Sequence, residues 1–163
     1  MSVLAVTGYD VIMAVHIIAV VVAFGWTFAL PVVYAVAANR DPRGLPLLHR
    51  IEFTVFRWVL NPALTVVLAA GIYLASDGHH WSEFFVQWGF AAIVVIGGLV
   101  GSVLMPAAKR AEAAIAGDLA KWDGESEFEP GAEYVAIARR LNVVGSIASG
   151  LVLLTILFMT IKP

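Results

Sequence analysis

VIMAVHIIAVVVAFGWTFALP, residues 11–31, carries no charged side chain and a single titratable one, His16. Wound as a helix, this stretch rises about 32 Å, enough to cross a hydrocarbon layer of about 30 Å. The apolar run extends from Val11 to Ala38, and three others follow it: Ile51 to Ala75, Phe84 to Met105 and Leu141 to Ile161. The chain is 61% hydrophobic and only 13% charged, whereas soluble domains are about one quarter charged. One small soluble core cannot hide that much apolar surface, so lipid is expected to cover the excess. Strands are excluded as spans, because an open sheet leaves backbone groups unpaired in lipid and four segments are too few for a closed barrel. The pattern predicts an all-α, integral membrane four-helix bundle. It forms a single transmembrane domain over 1–163, with helices at about 9–38, 48–75, 84–120 and 134–161.

No Lys or Arg precedes the first run, the run is too long for a signal-peptide core, and no small-residue cleavage pattern follows, so it is expected to stay in the mature chain. With no cysteine in the sequence, disulfides, thiolate metal ligands and c-type haem attachment are excluded. No basic stripe with interleaved aromatics points to nucleic acid.

The placement of charge predicts orientation. Arg40, Arg43, Arg50 and Arg57 flank the first connection, and Lys109, Arg110, Lys121, Arg139 and Arg140 flank the third. The second connection, SDGHHWSEFF, has none, and only Lys162 lies beyond the last helix. The positive-inside rule then makes connections 1–2 and 3–4 cytoplasmic and puts both termini outside, in the plasma (inner) membrane of a bacterial cell. Tyr9 and Trp81 on the outer side, with Trp122 and Tyr134 on the inner, are expected as interfacial anchors. Pro42, Gly44 and Pro46 supply the first turn. The third connection turns acidic at Asp123, Glu125, Glu127, Glu129 and Glu133, and is expected to be a solvated loop, with docking of a basic partner as the alternative.

In lipid, helices approach through small residues. Gly97 with Gly101, Gly98 with Ser102, Gly145 with Ser149, and Ser146 with Gly150 stand four apart, which predicts tight packing of the third helix on the fourth. A homo-oligomer seam is the alternative. Asn61-Pro62 is expected to kink the second helix and leave a carbonyl in need of a partner. The similar endings FALPVVYAVAANR and VLMPAAKRAEAA hint at parallel repeats.

His16 lies about 10 Å inside its helix, where an ionisable ring is a functional candidate. Three uses stay open: a neutral imidazole bonded to Thr65, Thr155 or a backbone carbonyl; an axial ligand of haem iron, with its other nitrogen held by a second acceptor; or proton transfer. No second histidine is expected within the membrane, and Met13, Met105 and Met159 are poorly placed as axial partners, so a haem would be five-coordinate. His49, Arg50, Glu52 and Arg57 cluster at the start of the second helix. Arg57 either snorkels to headgroups or pairs inward with Asn142 or an anionic group such as a porphyrin propionate or lipid phosphate. His79 and His80, near Asp77 and Glu83, suit zinc or copper in donor type, though adjacent histidines lack ligand spacing. Phosphate loops, nucleophile elbows and metalloprotease motifs are absent.

AVHIIAVVVAFGWTFALPVVY, HRIEFTVFRWVLNPALTVVLAAGIYLA, RRLNVV and the terminal Lys162-Pro163 together resemble the small multi-helix membrane proteins that include HemJ-type protoporphyrinogen IX oxidases and CopD-type copper proteins. The resemblance implies that His16 is a haem b ligand or another cofactor-site residue, with Glu52, Arg57, Pro62 and Asn142 around the site. That oxidase group carries a Lys and a His on its third helix, where this chain reads VQWGFAAIVVIGGLVGSVLMP. The likeness is therefore to members of the group with no assigned reaction. The expectations are haem b or porphyrin binding through His16, a non-catalytic membrane subunit or scaffold as the alternative, and copper handling on the outer face as a further one.

Overall fold

The computed structural model describes residues 6–162, so Pro163 lies outside the described residues. Four helices are long and apolar enough to cross a membrane: α1 (Gly8–Arg40), α2 (Pro42–Asp77), α3 (Phe84–Leu119) and α4 (Ala132–Ile161). Strands are absent among the described residues. A capping box opens α1: Thr7 Oγ1 accepts the Asp10 N–H, and the Asp10 carboxylate accepts the Thr7 N–H at 3.0 Å, satisfying two of the donors that a helix start leaves free. The first connection is tighter than expected. Only Asp41 leaves the helical conformation, its carboxylate accepting the Arg43 N–H at 2.9 Å, and α2 starts at once as a 3₁₀ turn over Pro42–Gly44. Pro46 falls in the first α-turn that follows, where no N–H is needed.

Neighbouring helices run antiparallel. Along α1 and α2, His16 meets Val67 while Tyr34 meets His49 and Glu52, so one end of the bundle holds the α2–α3 connection, the start of α1 and the end of α4. The other holds most of the Lys and Arg. These are called here the terminal end and the basic end. The centre is apolar and draws on all four helices, including Phe24, Phe56, Leu60, Ile96, Val100 and Val152.

Two five-residue π turns, Phe56–Leu60 in α2 and Val100–Leu104 in α3, sit in this centre, each directly before a proline pair, Asn61-Pro62 and Met105-Pro106. The Asn61 N–H reaches back to the Phe56 carbonyl and the Met105 N–H to that of Val100. Proline has no N–H to give and its ring crowds the carbonyl four residues back; the wider turn relieves both. The structure therefore pairs Pro106 with Pro62 in local geometry, and not with Pro31, which sits in uninterrupted α-helix.

The small-residue faces do not pack as expected. A Cβ placed on Gly97, Gly98, Gly101, Gly145 or Gly150 would meet nothing within 4 Å, so these glycines bring no two helices together. Instead α3 meets α4 through aromatic rings, with Trp88 and Phe84 both edge-on to Phe158 at 5.1 and 5.4 Å, and through the bond from Trp88 Nε1 to Thr155 Oγ1 at 3.1 Å. Two anchors also differ. Tyr134 is buried in the basic-end core with Leu45, Ala111 and Ile115. Tyr9 lines a cavity.

Candidate functional site

The terminal half of the bundle encloses a cavity of about 450 Å³, walled by all four helices and almost wholly apolar. Ile17 and Val21 of α1, Leu68 of α2 and Ile156 of α4 line it and are exposed, so the cavity is open to the surroundings. Its polar groups are few: His16, Thr155 and Thr160 along the wall, with Tyr9, His80 and Lys162 at the terminal end. An apolar chamber with a few placed polar groups is the usual form of a small-molecule site.

His16 is held there by one bond, between Nδ1 and the Val67 carbonyl at 3.1 Å. The expected Thr65 and Thr155 do not serve it: Thr65 donates to Asn61 O, and Thr155 accepts from Trp88 and donates to Leu151 O. Gly71, one turn beyond Val67, leaves its side open to the ring, and a Cβ there would lie 3.6 Å from His16 Cε1. A carbonyl only accepts, so Nδ1 carries the hydrogen. In the uncharged ring, the cheaper form in apolar surroundings, Nε2 is then a bare lone pair with no partner among the described residues. A metal centre or a hydrogen-bond donor can take that lone pair; a carbonyl cannot.

His80 reaches the same cavity by an unusual turn. His79 has φ of 56°, left-handed backbone that a non-glycine residue adopts at a cost, and the reversal sends the His80 N–H back to the Ala75 carbonyl at 2.9 Å. His79 itself is exposed, with Nδ1 against Asp77 O. His79, His80, Asp77 and Glu83 are therefore not gathered, and no group of three or more His, Asp or Glu placed to hold a metal occurs among the described residues.

The other residues implied around His16 lie elsewhere. Arg57 is exposed, its guanidinium 5.5 Å from the Trp58 ring centroid. Asn142 is exposed on α4. Glu52 is 5% exposed at the basic end, where it joins His49, 2% exposed. Tyr34, its partner, stands eighteen residues along α1 from His16, about 27 Å by helical rise. Arg50 pairs with Glu112 of α3, donating to Oε1 through Nε and Nη2 at 2.9 and 2.7 Å.

That basic-end cluster is the grouping the sequence did not reveal. Tyr34 donates to Glu52 Oε2 at 2.6 Å and lies 2.8 Å from His49 Nδ1, while His49 Nε2 is 3.3 Å from the Tyr134 hydroxyl. The three-residue spacing of His49 and Glu52, which puts them on one helical face, was the available signal. Tyr34 and Tyr134 gave none, because one stands in an apolar run and the other in a helix start that suits an interfacial ring.

The acidic connection is solvated, with Asp123, Glu125, Glu127 and Glu129 exposed. Within it the Asp123 carboxylate accepts from the Ser126 and Glu125 backbone N–H groups and the Ser126 hydroxyl, which holds its carboxyl below the usual carboxylate range. Comparison with protein-family models, curated proteins and solved structures finds no match for this chain.

Proposed function

We propose that the chain is a multi-pass membrane protein that binds haem b or a related porphyrin in the terminal-end cavity, with His16 Nε2 as its one protein ligand. The observation that carries this reading is the His16–Val67 bond. A metal-binding histidine needs its second nitrogen held by an acceptor that fixes tautomer and ring direction, and the Val67 carbonyl is such an acceptor. The donor set, a single imidazole, would hold a haem through one protein ligand, and the bound group would supply redox chemistry or binding of a small ligand. The apolar walls from four helices suit a macrocycle, and Lys162 at the rim suits its carboxylates. Glu52, Arg57 and Asn142 take no part in this site. The excess of Lys and Arg at the basic end supports a cytoplasmic position for that end in a bacterial plasma membrane, and hence a cavity in the outer leaflet.

The test is titration of the purified protein with haemin in detergent. The expected result is a saturable Soret band at one haem per chain, and a loss of affinity of tenfold or more in His16→Ala with the protein still folded. Equal binding by His16→Ala would remove His16 from the proposal. A protein that takes up no haem and runs as a stable oligomer would instead favour the scaffold reading, which has support in the outward-facing glycines of α3 and α4.

A further inference from the structure

We infer that Tyr34, His49, Glu52 and Tyr134 form a proton-binding site at the basic end of the bundle, loaded through Tyr134. The four side chains come from three helices, and the imidazole and carboxylate, both nearly fully buried, stand 3.5 Å apart. Tyr34 has one hydroxyl hydrogen, and its 2.6 Å contact gives that hydrogen to Glu52 Oε2. With Glu52 ionised, the 2.8 Å contact with His49 Nδ1 must then be donated by the ring, so Nδ1–H is present for as long as the carboxylate is.

Only the Nε2 contact is free to change. With His49 neutral, the Tyr134 hydroxyl donates to the bare Nε2 at 3.3 Å. With a proton added, Nε2–H donates to the Tyr134 oxygen, whose own hydrogen rotates away. The bond between these atoms reverses and none is lost. The added proton converts a cluster carrying one net negative charge into a neutral imidazolium–carboxylate pair, and the charged Nε2–H···O bond that forms offsets the Tyr134 hydroxyl hydrogen that gives up its partner.

Among the described residues, the polar groups in contact with this pair come from two further helices. From α1 the facing group is Tyr34, and from α4 it is Tyr134. Around Tyr134, α3 contributes Ala111 and Ile115 and α2 contributes Leu45. Arg50 and Glu112 pair with each other, with the arginine side chain 72% exposed. Tyr134 belongs to the first turn of α4, directly after the solvated loop, so a proton has a short way in from the basic end. From the terminal end its way is blocked by the apolar centre, with Phe24, Phe56, Leu60, Ile96, Val100 and Leu104 all buried.

The test is a pH titration, from about 4.5 to 9.5, of ¹⁵N-histidine-labelled protein in lipid nanodiscs, with the His49 signals assigned by their absence in His49→Gln. The expected result is that His49 Nδ1 stays protonated throughout while Nε2 passes from bare to protonated in one step. Tyr134→Phe removes the stronger, charge-assisted bond of the protonated state, so it is expected to lower the midpoint by about one unit, a tenfold loss of proton affinity. A His49 Nε2 that keeps one state over the whole range in the wild-type protein, while exposed His79 titrates, would overturn the inference. So would a midpoint unchanged in folded Tyr134→Phe.

Discussion

Trp88 donates its indole N–H to Thr155 Oγ1, whereas the indole N–H of Trp26 is buried with no partner among the described residues. The same substitution at the two positions therefore has different consequences. Trp88→Phe removes a made hydrogen bond between α3 and α4, worth about 0.5–1.5 kcal/mol net. Trp26→Phe removes a donor that is already unsatisfied, so beyond the common loss of ring volume it costs nothing or stabilises. Reversible unfolding in mixed micelles is expected to rank Trp88→Phe below Trp26→Phe by about 1 kcal/mol; the opposite order would mean that Trp26 has a partner in the membrane. At this scale the sequence was informative about which residues matter and poor on what they touch. His16 stood out as an isolated ring in an apolar run. Its acceptor, a backbone carbonyl of α2, carries no side-chain signature to separate it from Thr65 and Thr155, which lie at similar depth. Arg57 turned to Trp58 on the outside of the bundle, where a long cationic side chain is held more cheaply than in the apolar interior.

The four helices were legible because lipid demands long apolar runs. Their ends agree with the expected ones to within a few residues except at α2, which begins at Pro42 and not near residue 48. There, Pro42 and Pro46 read as breakers, but proline in a first turn costs no hydrogen bond. The π turns were legible only in part: Asn61-Pro62 announced a disturbance in α2, while Met105-Pro106 resembled an ordinary helix end. The glycine faces misled for a physical reason. Small residues permit close approach without compelling it, and the aromatic rings of Trp88, Phe84 and Phe158 hold α3 and α4 in contact instead. Orientation belongs to the connections. Because the native chain has no cysteine, single cysteines at Ala120 and Ser82, both exposed in connections, report it without background. An impermeant thiol reagent applied to intact cells is expected to label position 82 and spare position 120. The reverse pattern would invert the bundle and put the cavity in the inner leaflet.

As a whole, the molecule has two polar sites separated by an apolar centre: the His16 cavity at the terminal end and the Tyr34–His49–Glu52–Tyr134 cluster at the basic end. Resemblance had placed Glu52, Arg57 and Asn142 around His16. Antiparallel pairing of α1 with α2 separates them, since a residue near the start of α2 must lie beside the end of α1. The two-ended arrangement was beyond reach of the sequence because it depends on which faces meet, and a helix that is apolar all round does not say which face turns inward. Everything proposed for the cavity depends on one physical claim, that the His16 ring is neutral with hydrogen on Nδ1 and a bare Nε2 turned to a chamber shared by four helices. The ¹⁵N shifts of His16 in lipid nanodiscs at neutral pH, assigned by their absence in His16→Ala, test it most directly. The account predicts a protonated Nδ1 and an unprotonated Nε2, with Nε2 the nitrogen that responds when haemin is added. Hydrogen found on Nε2 instead, or on both nitrogens, would contradict it.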